Sequence, residues 1–237
     1  MVQVKITGEK LQAPKTLRIK FKKTGNLQYI SHLDLVRTVH KMLVRSKMPL
    51  WYTEGFNPKP KMVFSSSMSI GLQSECEFLD VKITNDVELE SVTDALNACS
   101  TDELVFLSAY YPTVKFTEIR WASYHISIET ENPPEDLACR CKEVLAGKPL
   151  VVNKFTKSGK KDIDISPSVF DVEASDTEYG KAEIDLMIYS ENGSFLNPEY
   201  LISALKDKLG ILRGDLLKNK YSVVRTCIYD ENKNVFI

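Results

Sequence analysis

The residues best suited to chemistry stand in two short runs, Tyr29-Ile-Ser-His-Leu-Asp34 and Glu54-Gly-Phe-Asn-Pro-Lys-Pro-Lys61, with Arg37, Lys41 and Arg45 between them. His32 can donate or accept a proton near neutral pH. Ser31 stands three residues before Asp34, the spacing of a helix-starting capping box. The three cations recur every four residues, which places them along one helix face. In the second run Gly55 can supply a backbone conformation closed to other residues, and Asn57 can both donate and accept hydrogen bonds. Phe56 offers a flat ring on which a base could stack, or a plug for the core. A single histidine without an identified base, nucleophile or metal partner is weak ground for catalysis. No catalytic residue is assigned, and His32 stays a candidate whose other role is to occupy an exposed first helical turn.

The charge around these runs favours nucleic acid. Residues 10–62 hold twelve Lys/Arg against Asp34 and Glu54, a balance of +10, whereas residues 63–237 hold 18 basic against 29 acidic groups, or −11. The overall −1 conceals that split. Single-stranded RNA needs cations for its phosphates and flat rings for its bases. The expected contact set is therefore Lys20, Lys22, His32, Arg37, Lys41, Arg45, Trp51, Phe56, Asn57, Lys59 and Lys61. A solvated basic face balanced by acids elsewhere would give the same composition.

The elements that must position these residues can be read from periodicity. Leu17–Lys23 alternates apolar and basic residues, a strand with Leu17, Ile19 and Phe21 inward and Arg18, Lys20 and Lys22 outward. A helix runs from Ser31 to about Lys47 with Leu35, Val36, Val39, Met42 and Leu43 as its buried stripe. Pro49 ends it, Leu50–Tyr52 reads as a short strand, and residues 54–60 are a loop broken by Gly55 and two prolines. Strands at 61–66, 78–83 and 104–111 and a helix at 88–98 complete a β-α-β-β-α-β order. The second half repeats it: a strand at 124–129, a helix at 135–145, a hairpin of 150–157 and 161–165 turning at Ser158-Gly159-Lys160, a strand at 182–189, a helix from Asn197 to Leu209 and a strand at 221–229. The expectation is an α+β chain of two tandem ferredoxin-like (β-α-β-β-α-β) units. The first, basic unit spans 1–115, the acidic second spans 120–230, and 231–237 is a tail.

A composition of 43% hydrophobic and 27% charged residues fits an ordered globule with a sizeable core and excludes collagen-like or disordered classes. No apolar run reaches the roughly 20 residues of a membrane span, and residues 1–10 lack the pattern of a secretory signal. A cytoplasmic protein with no membrane partner is expected. The five scattered cysteines read as reduced thiols, and Cys139-x-Cys141 has no second pair or nearby histidine to make a metal site. Gly159 lacks the residues of a phosphate-binding Walker loop. No metal and no cofactor are expected, and His40 and His125 read as packed or surface residues.

The combination of Tyr29-Ile-Ser-His-Leu-Asp34, Glu54-Gly-Phe-Asn-Pro-Lys-Pro-Lys61 and Ile70-Gly-Leu-Gln-Ser74 resembles the radical-SAM-linked protein family, found beside or fused to radical SAM proteins in bacteria. The resemblance extends from about Leu17 to Thr226, including Lys157-Ser-Gly-Lys160 and Asp162-Ile-Asp-Ile-Ser-Pro167. It makes Ser31, His32, Leu33, Asp34, Gly55, Phe56, Asn57 and Pro58 family-motif residues. The family commonly has Gln-Gly-Phe-Asn-Pro and an Asp-Ile-Arg-Pro-like stretch, where this chain has Glu54 and Ser166, so no anion-binding role is carried over to Ser166. The resemblance implies a radical SAM protein as partner. This chain lacks the Cys-x-x-x-Cys-x-x-Cys triplet that holds such a cluster, so that chemistry would belong to another polypeptide. The reading is a noncatalytic RNA-binding adaptor that works with a separate radical SAM enzyme in RNA modification. Its alternatives are a metal-independent RNA-processing nuclease using His32 and a protein-interaction subunit that binds no RNA.

Overall fold

Leu17, Ile19 and Phe21 alternate with charged residues, and in the computed structural model of the chain, which describes residues 2–156, 159–191 and 195–237, all three are fully buried. They lie on β1 (Ile6–Lys23), which is followed by α1 (His32–Arg45), β2 (Met62–Phe64), β3 (Leu72–Val87), α2 (Leu89–Asn97) and β4 (Leu104–Tyr110). These make up the first of two units, Met1–Phe116 with Ile237; the second is Thr117–Phe236. Every strand pairing in the first unit is antiparallel, and the lateral order is β4-β1-β3-β2. Leu79, Val81 and Ile83 of β3 join the β1 residues on one sheet face. Leu35, Val39, Met42 and Leu43 of α1 and Val92, Ala95 and Leu96 of α2 complete that core.

The other face of β1 departs from the expected cationic surface. Arg18 is only 1% exposed: its guanidinium donates to Asp80 Oδ1 at 2.7 Å and Oδ2 at 2.9 Å and to the Val114 carbonyl at 2.9 Å. The Phe116 ring lies 4.3 Å from it. At the end of the strand, beyond a register shift after Phe21, Lys23 is buried as well and donates to the Leu27 carbonyl at 3.0 Å. Alternation along a single strand identifies the two faces but not whether both are covered.

The second unit contains β5 (Trp121–Glu129), α3 (Leu137–Ala146), β6 (Val151–Thr156), β7 (Gly159–Asp164), β8 (Val169–Glu178), β9 (Lys181–Tyr189), α4 (Glu199–Leu209) and β10 (Lys220–Tyr229). Its antiparallel sheet has the order β10-β5-β9-β8, and β6 and β7 form a separate two-stranded hairpin. Periodicity predicts the strand at 182–189 directly after the hairpin, whereas β8 intervenes. Its alternation is broken where Asp171 adopts φ +50° and the register shifts between Phe170 and Glu173, and its C-terminal half is polar and exposed. The hairpin lies between α3 and β8 along the chain and outside the four-stranded sheet. Ser158, expected in its turn, and Lys157 lie outside the described residues.

Other boundaries shift modestly. The segment read as a strand at 50–52 makes only isolated bridges, Leu50 to Ile83 and Tyr52 to Pro60, and β1 and β3 are much longer than their alternating cores. Residues 231–237, expected as a tail, turn back instead. Asp230 Oδ1 accepts from the Asn232 and Asn234 backbone, Phe236 N–H donates to Ile228 O at 2.9 Å, and the Phe236 ring is buried. A bridge between Tyr229 and Val235 completes the return. The chain is α+β with four α-helices among the described residues, and no helix is long and apolar enough to cross a membrane.

The ion pair at the β1–β3 junction makes a direct prediction. Asp80→Ala leaves the Arg18 guanidinium buried without its carboxylate, which typically costs about 3–5 kcal/mol. Urea unfolding of Asp80→Ala should show a correspondingly lower midpoint with an unchanged slope. A loss below about 1 kcal/mol would place the pair among the surface-like ones.

Candidate nucleic-acid interface

Helix α1 begins where the capping spacing places it. Ser31 Oγ accepts the Asp34 backbone N–H at 3.1 Å and donates to Asp34 Oδ2 at 2.7 Å, and Arg37 Nη1 donates to Asp34 Oδ1 at 3.0 Å. The Ser31 hydroxyl, and after it Arg37, hold the Asp34 carboxyl below the usual carboxylate range. Asp34 thus has a structural task, and Arg37, though exposed, is engaged with it. The helix ends at Arg45, two residues short of the expected Lys47, because Lys47 takes the left-handed conformation (φ +56°) just before Pro49.

With the apolar stripe of α1 fixed against the sheet, Lys41 and Arg45 emerge one turn apart on the exposed side. Neither forms an ion pair among the described residues. Both line a cleft of about 260 Å³ together with Thr38, Ser100 and Thr101, over an apolar floor that includes Leu27 and Met42. Thr38 and Thr101 contribute hydroxyls that no spacing along the chain marks out, while the Ser100 hydroxyl donates to the Leu104 carbonyl. Ser100 and Thr101 come from the segment between α2 and β4, which no spacing along the chain connects to α1.

The 54–61 run forms a closed loop. Thr53 N–H donates to Lys59 O at 2.8 Å, Lys59 N–H donates to Thr53 Oγ1 at 3.0 Å, and Lys61 N–H donates to Trp51 O at 2.9 Å. Gly55 at the tip has φ +121°, a backbone state that a side chain would strain. Phe56 is fully exposed there, so it is not a core plug; Asn57, Pro58 and Lys59 are exposed beside it. Trp51 is half-buried and donates its backbone N–H to Lys82 O at 2.7 Å. Lys61 lines a second cleft, about 510 Å³, with Thr53, Pro60, Val63, Lys82 and Phe116. Lys82 went unnoticed in the sequence although the alternation of Phe78–Ile83 puts it on the same face as Asp80; its ammonium donates to Thr16 Oγ1 at 2.6 Å. The helix ridge and the loop do not share a cleft: no residue lines both.

The remaining expected contacts are less available. Lys20 and Lys22 are half-buried, and the Lys20 ammonium sits 5.9 Å from the Phe78 ring. His32 is not on an exposed turn. It is half-buried, its ring meets Phe64 edge-on with centroids 5.5 Å apart, and its Nδ1 is buried with no hydrogen-bond partner among the described residues. Leu33 of the same motif is exposed, as are Tyr29 and Ile70; the backbone bond from Gly71 N–H to Gln28 O at 2.8 Å joins the segments that carry Tyr29 and Ile70. His125 of the second unit lies 2.9 Å from both Glu183 Oε2 and Asp185 Oδ1. Cys141 is buried on α3, its thiol pushed up to about 12 by burial, while Cys139 points outward. Among the described residues no group of three or more His, Cys, Asp and Glu is arranged to hold a metal ion.

A family model described as "Uncharacterized protein conserved in bacteria" matches residues 16–198. No curated protein matches the chain. Among solved structures, a chain of a Cbf5–Nop10–Gar1 complex is similar at 12% identity and a TM-score of 0.49, with 98% of this chain and 60% of that chain covered. This chain therefore spans about 60% of that one's length, and at that similarity the likeness bears on neither fold nor activity.

The helix start is directly testable. Ser31→Ala removes the cap and should cost about 1 kcal/mol in urea unfolding at neutral pH. It should also raise the Asp34 pKa, read by NMR titration of its carboxyl carbon. A carboxyl held below its unfolded value contributes stability that is complete above about pH 3.9 and is lost as pH falls through the folded value. The gap between Ser31→Ala and the native protein should therefore narrow in that acid range. An unmoved Asp34 titration would show that Arg37 alone holds the carboxylate.

Proposed function

We propose, from the premise that this chain belongs to the DUF2344 family, that it is a noncatalytic RNA-binding accessory protein whose first unit holds single-stranded RNA for a separate enzyme. The observation that carries the reading is the pair Lys41 and Arg45, exposed, without ion-pair partners among the described residues, and set over a cleft rimmed by hydroxyl donors. Two adjacent cations with hydroxyl groups at hand suit a phosphate backbone. Phe56 adds an exposed ring at the tip of a closed loop whose base carries Lys59 and Lys61, and an exposed ring is a surface on which a splayed base stacks. The strand orders β4-β1-β3-β2 and β10-β5-β9-β8 support reading each unit as a ferredoxin-like domain, the second with an inserted hairpin. The identity of the enzyme as a radical SAM protein rests on the motif resemblance alone.

A second reading, a protein-interaction subunit, is favoured by a different observation. Tyr29, Leu33 and Ile70 are 66%, 57% and 59% exposed in the motif segments, and exposed apolar side chains grouped together mark partner surfaces.

Fluorescence anisotropy with labelled RNA at two salt concentrations separates the two. The RNA reading expects salt-sensitive binding that Lys41→Glu/Arg45→Glu weakens at least tenfold, and that Phe56→Ala weakens by about 1–3 kcal/mol, the usual worth of one stacked base. Absence of binding at low salt overturns it. Co-elution with a radical SAM partner that survives Lys41→Glu/Arg45→Glu but is lost in Leu33→Asp/Ile70→Asp would establish the second reading.

A further inference from the structure

We infer that the second unit carries its own site for single-stranded nucleic acid, with a phosphate held between Lys154 and Lys161 of the β6–β7 hairpin and a base seated in the aromatic cleft at its foot. This goes beyond the function proposed above, which uses only the first unit.

The first observation is electrostatic. Lys154 and Lys161 stand directly opposite each other in the β6–β7 register. Like charges in that position repel and destabilise a two-stranded ribbon. Neither lysine has an ion-pair partner among the described residues, and both are exposed. The acids of the hairpin itself do not relieve the repulsion. Asp162 pairs in register with Asn153 and so lies on the other face. Asp164 shares that other face, and its Oδ1 accepts the backbone N–H groups of Leu150 and Ser166 at 2.9 Å each. An anion bound between the two lysines converts the repulsion into a pair of attractive contacts.

The second observation is geometric. Two residues nearer the body, Val152 and Ile163 occupy the same hairpin face as the lysines, and Val152 is buried. That face therefore looks inward, toward the unit, and Lys154 lines a cleft of about 620 Å³ together with Tyr189, Phe195, Asn197 and Tyr200. The volume suits a nucleotide. One wall is held in place: the Tyr189 ring packs against Trp121 with centroids 4.8 Å apart, and Phe170 packs against both. Glu191, also lining the cleft, is a carboxylate that can accept from a base amino group but would repel a phosphate placed there. The phosphate thus belongs at the lysines and the base in the cleft.

The test uses the full chain with fluorescein-labelled octauridylate and octaadenylate at about 50 mM salt, together with photocross-linking of 4-thiouridine-substituted oligonucleotide and peptide mapping. The expected result is cross-links in the peptides that contain Tyr189 or Tyr200. These should be lost, with at least tenfold weaker second-site binding, in Lys154→Glu/Lys161→Glu, retained in Lys154→Arg/Lys161→Arg, and unaffected by Lys41→Glu/Arg45→Glu. Both lysines are exposed, and an unchanged thermal midpoint confirms that the variants fold. Cross-links confined to the first unit overturn this inference and leave the proposed function standing; cross-links confined to Tyr189 and Tyr200 peptides do the reverse. Polyglutamate competing as well as an oligonucleotide of equal charge would assign the hairpin to acidic polypeptides and overturn the nucleic-acid site.

Discussion

A guanidinium taken out of water must recover several kilocalories per mole from its partners, or the fold that buries it does not form. Arg18 recovers this energy through a bidentate pair with Asp80, a hydrogen bond to the Val114 carbonyl and the face of Phe116. Because Arg18 and Asp80 are register partners on β1 and β3, the pair also favours one alignment of the two long strands. A slip by one residue would separate the charges and turn Leu79, Val81 and Ile83 away from the helices. The rest of the first unit follows from that alignment. It defines the apolar surface on which α1 rests, and the rotation of α1 on that surface decides that Lys41 and Arg45 face outward over the cleft.

The same ion pair explains why a charge excess in the sequence overstates the binding surface. Of the basic residues between 10 and 62, Arg18 and Lys23 are buried, Lys15 is joined to Asp86 at 2.7 Å, and Arg37 is held by Asp34. Among the expected contacts, Lys41, Arg45, Lys59 and Lys61 remain exposed and without ion pairs among the described residues. They divide between two places, the α1 cleft and the closed loop with its neighbouring cleft, so a ligand touching both would have to be extended, as a single strand is.

The second unit shows the converse. Its net acidity hides a local basic feature, because the hairpin's own acids, Asp162 and Asp164, lie on the face opposite Lys154 and Lys161, and Asp164 is occupied with backbone N–H groups. Net charge per domain is a far-field quantity, whereas recognition depends on which charges share a face and a cleft.

Much of the fold was legible because it rests on local signals. The Ser31–Asp34 spacing located the start of α1, the alternation in Leu17–Phe21 and Phe78–Ile83 located the cores of β1 and β3, and the amphipathic stretch at 88–98 with the apolar run at 104–111 located α2 and β4. Strand β8 was not legible, because a left-handed Asp171 and a register shift interrupt its alternation. The motif residues Gly55, Phe56 and Asn57 were found by type, yet whether Phe56 plugs the core or stands in solvent was decided only by the Thr53–Lys59 closure. Residue type and spacing thus determined which side chains could bind, cap or pack. Tertiary structure decided which of them remain free to do so: burying Arg18, tethering Arg37 and bringing Ser100 and Thr101 beside Lys41 are contacts between distant segments. Such contacts depend on the competition between desolvation and pairing in three dimensions, and no local periodicity encodes that competition.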